Sequence, residues 1–137
     1  MANLTRETIL SKKSLKRETV DIPEWGGAII VRELTGQERA RYEAGFTDQV
    51  AGESTNPQDR IKRFEDMRSK IVVLAAIHES GERIFKDGDA HALNDLSGMA
   101  LDRAFSVIMR LSGYTREEQD RLKKTSTDGG DSTSALH

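Results

Sequence analysis

Cysteine is absent from the 137-residue chain, which rules out disulfide cross-links, thiolate metal sites and thiol nucleophiles together. That absence suits a reducing cytoplasm. Aromatic residues are scarce at 5%, too few for an aromatic-rich β-sandwich. The 36% hydrophobic and 32% charged residues suit a helix-rich domain with a modest core, and the length leaves room for one such core. No apolar run approaches the roughly 18 residues that a membrane-crossing helix needs, and residues 1–30 hold no apolar leader-like stretch. The expectation is a soluble, unexported chain with no membrane contact. Net charge is also nearly missing: 21 basic and 23 acidic side chains leave −2, so no overall field would draw the protein to nucleic acid. The local basic run Lys12, Lys13, Lys16 and Arg17 is bracketed by Glu7 and Glu18 and lacks interleaved aromatics. It reads as a solvated helix end, not a nucleic-acid site.

Local signals for secondary structure are plentiful by comparison. Residues Thr5 to Leu15 read as a short, frayed helix. Thr19, Val20, Asp21 and Ile22 alternate as a strand does, and Pro23 stops them. Gly26 and Gly27 then supply a tight turn into a second strand over Ala28 to Leu34, closing a hairpin. Thr35 stands three residues before Glu38, the capping-box spacing, and predicts a helix from about Gly36 to about Val50. After the small polar stretch 51–56, Asn56-Pro57 starts the longest helix, whose apolar face widens into "IVVLAAI" and which Gly81 should end, with His78 at its C-terminal dipole. An extended segment through Ile84 and Phe85, a short helix from Asp89 to Leu96 and a Ser97-capped helix to Leu111 follow, the last stopped by Gly113. A charged helix opens at Thr115, and the last thirteen residues hold too little apolar surface to offset their ordering entropy.

Reaction chemistry is hard to find in these residues. Gly26-Gly27 joins two strands, where a phosphate loop would join a strand to a helix, and Gly36 has no lysine beside it. Asp87, Asp89 and His91 invite a metal reading, but the calcium-loop template wants glycine and glutamate where Ala92 and Gly98 stand. Turn and helix-cap aspartates beside a surface histidine account for the stretch better. The abundant acidic residues mostly alternate with lysine or arginine, as on solvated helix faces. Neither a serine elbow nor an HExxH helix is present. The expectation is a non-enzymatic interaction protein without metal or cofactor.

Three stretches, in order and at their spacing, carry a family likeness: "VDIPEWGGAIIVRELTGQER", "IVVLAAIHESGERIFKDGDAHAL" and "FSVIMRLSGYT". Together they resemble the small tail assembly chaperones of long-tailed bacteriophages and prophages, over roughly residues 5–124. The resemblance implies a protein that binds the tape measure protein in the host bacterial cytoplasm and keeps it soluble until tail tube subunits assemble. It also implies a longer frameshifted product whose extension recruits the tail tube protein, beginning where the polar tail lies, and absence from the mature virion. The rival expectation is a head–tail junction or minor tail protein retained in the particle.

The expected architecture is α+β and predominantly α-helical, with an N-terminal β-hairpin packed against four or five helices. One chaperone domain should span 1–124, followed by a flexible polar tail over 125–137. Side-chain character nominates Phe46, Ile84, Phe85 and Tyr114 as partner contacts, with Phe64 and Phe105 assigned to the core and Trp25 to a plug over the hairpin. Whether copies form a homo-oligomer, and whether the Ile84-Phe85 segment pairs with the hairpin, is left open by the sequence.

Overall fold

The computed structural model describes residues 3–51 and 57–114. The helix expected from Thr115 and the polar tail lie outside the described residues. Helix α1 (Arg6–Leu10), capped by the Thr5 hydroxyl, buries none of its side chains. Strands β1 (Arg17–Ile22) and β2 (Gly27–Arg32) pair antiparallel from Arg17↔Arg32 to Ile22↔Gly27. Their link differs from the tight glycine turn expected: Pro23–Trp25 make a turn of 3-10 helix, and Gly26 alone adopts a positive φ, 79°. Proline starts that turn at no cost, because its missing N–H would have been unpaired there. Strand β2 also ends two residues early. Leu34 is buried, and its N–H donates to the Ser112 hydroxyl at 2.9 Å instead of extending the ladder.

The capping box is made as its spacing predicts. The Thr35 N–H donates to Glu38 Oε1 at 2.9 Å and the Glu38 N–H to Thr35 Oγ1 at 3.2 Å, opening α2 (Gly36–Ala51). Helix α3 (Pro57–Ala75) starts at its proline but stops before the end of the apolar run. Ala76–Ile77 form a third strand, β3, antiparallel to β2 through Ile30↔Ile77 and Val31↔Ala76. An apolar run of this kind fits a buried helix and a buried strand equally well. The free edge of β2 decides, together with two guanidinium groups that satisfy the carbonyls released at the helix end: Arg32 donates to the Leu74 oxygen at 3.1 Å and Arg83 to that of Val73 at 3.2 Å. Gly81 therefore does not end a helix; with φ 95° it closes a turn onto the His78 carbonyl. His78 accordingly leaves a strand, not a helix C-terminus. The extended segment that follows pairs with β3 and not with the hairpin, through the Ile77↔Arg83 bridge and the Ile84 N–H on the Ala76 carbonyl at 3.0 Å.

The short helix α4 (Asp89–Leu93) ends before the expected Leu96, and α5 (Gly98–Leu111) starts on the Ser97 cap. Helix α5 packs against both the hairpin and α3, and its Leu101, Phe105 and Ile108 share one buried core with Val20, Ile22 and Val31. Ion pairs on its outer side tie it down: Arg103 to Glu24, Arg110 to Glu18, and Asp102 to Arg68. The observed α+β, mainly helical architecture, a small antiparallel sheet under five helices among the described residues, is the expected fold class.

The Arg32–Glu38 pair spans 2.8 Å with side chains only 15% and 16% exposed, so each charge depends on the other. Replacing Arg32 with alanine strands a half-buried carboxylate and the Leu74 carbonyl, and should cost about 3 kcal/mol in urea unfolding. Burial disfavours the Glu38 charge, but hydrogen bonds from Arg32 and Thr35 outweigh it and hold the carboxyl below its ordinary 4.5. A depressed folded pKa contributes stability above the unfolded value that is lost as pH falls through the folded one. Stability should therefore decline below about pH 4.5, with a shallower acid slope in Glu38→Gln than in the parent chain.

Candidate interaction surface

The four residues nominated as contacts do not form one patch. Ile84 and Phe85 are half-buried beside β3, where the Ile84 N–H is already in the ladder and Phe85 packs against the core. Tyr114 sits beyond the end of α5 and is only 4% exposed, which places its ring inside the molecule and not on its surface. Phe46 belongs to α2, but its side chain lies outside the described residues. Phe105 is a core residue as expected, and the half-buried Phe64 meets it edge-on with centroids 6.3 Å apart. Trp25 packs against the core from the hairpin turn, its indole N–H buried without a hydrogen-bond partner among the described residues.

Tyr114 is the centre of a polar cluster that joins α2 to the end of α5. Its ring stacks edge-on against Tyr42 of α2 at 5.7 Å, and the Arg39 guanidinium lies 4.5 Å over its face. The Tyr114 hydroxyl donates to the Glu43 carboxylate and accepts from Arg39 Nε at 3.2 Å, while Arg39 Nη1 donates to the Ser112 carbonyl at 3.1 Å. Burial and the Glu43 carboxylate push the Tyr114 phenol up to about 12, and burial pushes that of Tyr42 up as well. Neither can act as a base near neutrality, and the cluster reads as a clasp between α2 and the end of α5.

The surface itself offers aliphatic side chains. Leu4, Ile9 and Leu10 around α1 are 68%, 52% and 56% exposed, and Ile61, Leu96 and Met99 also face solvent. Sequence reasoning passed over these residues: α1 is too short to show a stripe, and Leu96 and Met99 flank a helix cap whose signal is polar. Ile61 borders a groove of about 480 Å³ between α3 and α4, shared with Glu65, Asp66, His91, Asn94 and Asp95. Beneath it the Ser69 hydroxyl donates to Asn94, whose amide donates to Asp66 at 3.1 Å. Of the stretch considered for a metal, Asp87 pairs with Arg83 at 2.7 Å and Asp89 accepts the Lys86 N–H at 2.8 Å, so both carboxylates serve the turn. Among the described residues no three His, Asp or Glu groups converge as metal ligands, and no helix is long and apolar enough to cross a membrane.

Comparison with known proteins identifies the family to which this fold belongs. The phage tail assembly chaperone family matches residues 4–124, spanning every element described above. The chain belongs to that family. The solved structure of the bacteriophage HK97 tail assembly chaperone shares the fold, with a TM-score of 0.55 at 17% identity over 71% of this chain and 85% of that one. No curated protein sequence matches the chain. The role named for the family is chaperoning, which requires no reaction.

A phenol with a raised folded pKa contributes stability below its unfolded value, about 10, that is lost as pH rises through the folded value. Spectroscopic titration of this tail assembly chaperone should show Tyr114 ionising near 12, with unfolding following that ionisation. Tyr114→Phe keeps the ring but removes the donor to Glu43, and should destabilise the chain by about 1–2 kcal/mol in urea.

Proposed function

We propose that this chaperone binds the tape measure protein in the host cytoplasm, covers its apolar stretches until the tail tube assembles, and is then released. The family match over residues 4–124 carries the reading. The exposed aliphatic residues support it, because they are dispersed and modest in size, as reversible contact requires. The protein acts by contact and not by catalysis. A longer form, produced by a frameshift near the end of the reading frame, would add the segment that recruits the tail tube protein.

Co-expression tests the central claim. The tape measure protein encoded beside this chain should move from the insoluble to the soluble fraction when the two are produced together and should co-purify with the chaperone. An unchanged insoluble fraction defeats the reading. Mass spectrometry of purified virions should find no stoichiometric copy of the chain; a stoichiometric copy would instead mark a retained head–tail junction or minor tail component. Combined Leu4→Ser, Ile9→Ser and Leu10→Ser changes remove apolar surface that the fold does not use, so they should reduce co-purification while shifting the urea midpoint little.

A further inference from the structure

The sheet has two outer edges, and the chain itself closes one of them. Beyond β3 it turns back, and the Ile77↔Arg83 bridge and the Ile84 N–H continue the pairing there. Strand β1 forms the other edge: it pairs with β2, and no other described segment pairs with it. The register, with the Glu33 N–H on the Lys16 carbonyl at 2.8 Å, turns the backbone groups of Glu18, Val20 and Ile22 towards β2 and those of Arg17, Thr19 and Asp21 outwards. The same alternation buries the side chains of Val20 and Ile22 and leaves those of Arg17, Thr19 and Asp21 exposed. Sheets commonly blunt such an edge with a proline, a bulge or a lysine in the strand. Here the pairing runs unbroken from Arg17 to Ile22, and Pro23 stands just past its end.

The outward residues are complementary to themselves. Laid antiparallel on a second copy about a two-fold axis at Thr19, Arg17 of each strand stands opposite Asp21 of the other, and Thr19 faces its own copy. In that register every facing pair exchanges both of its backbone hydrogen bonds, and each cation meets a carboxylate. Moving the axis to Glu18 or Val20 sets Arg17 and Asp21 opposite uncharged residues instead. Asp21 has no ion-pair partner among the described residues, and the Arg17 guanidinium donates to the Glu79 carbonyl at 3.1 Å in an exposed contact that water can replace.

We propose that the β1 edge is a self-association site, at which two copies join through β1 into one continuous antiparallel sheet. The contact is isologous, so it closes as a dimer and does not propagate. None of the outward side chains is large and apolar, and a single strand edge covers less than the about 1,000 Å² of a stable complex. The dimer is therefore weak and forms as the chain becomes concentrated. The site involves no client and stands apart from the reading above.

Sedimentation equilibrium of the full chain at low salt, from micromolar to millimolar concentration, tests the site. The parent should pass from monomer to dimer. Asp21→Arg sets arginine against arginine in the facing pairs, and Arg17→Asp sets aspartate against aspartate. Each variant alone should dimerise at least about ten-fold more weakly than the parent. Mixed together, the two should recover the parent's association, because every facing pair is then arginine against aspartate. Thr19→Pro, which removes an outward N–H and no bond to β2, should abolish the dimer without any change of charge. Urea midpoints of all three variants close to the parent's establish that they fold. A parent that stays monomeric throughout overturns the proposal, as it would if another part of the same chain filled the edge. Variants that dimerise like the parent, or a mixture that associates no better than its components, overturn it as well.

Discussion

The Arg32 guanidinium joins three parts of the chain that are far apart in sequence. It leaves the end of β2, forms two hydrogen bonds with the Glu38 carboxylate in the first turn of α2, and donates to the Leu74 carbonyl in the last turn of α3. Glu38 in turn accepts the Thr35 N–H, so one carboxylate starts a helix and neutralises a buried cation. A planar fork suits this task, because its donors point in fixed directions and a lysine could not serve all three acceptors together. This node fastens the start of α2 to β2 and, together with Arg83 and the β2 edge, satisfies the carbonyls where α3 stops. Once α3 stops, Ala76 and Ile77 are free to complete the sheet.

On that frame the molecule divides into a firm half and a looser one. The firm half is the sheet with α5 and the end of α3, where fully buried aliphatic residues interlock and ion pairs from α5 reach the hairpin and α3. The looser part is α1, which buries none of its side chains.

Much of the frame is legible residue by residue. Thr35 and Glu38, Pro57, Ser97 and Gly113 act where their spacing places them, because capping and helix termination are chemistry within one turn of chain. The apolar run ending α3 is different. Helix or strand is decided there by the edge of β2 and by Arg32 and Arg83, groups distant in sequence. Tyr114 shows the same limit from the other side: an amphipathic ring near a helix end reads as a contact until Tyr42 and Arg39 close over it.

By itself, then, the amino-acid sequence determined the fold class, the starts of the helices, the hairpin and the likeness to a family of assembly chaperones. Tertiary structure alone decided where the long helix yields to a strand, that Tyr114 lies inside, and which aliphatic side chains remain outside. The division follows from range: caps and turns are satisfied by neighbours along the chain, whereas burial is a property of what arrives from elsewhere.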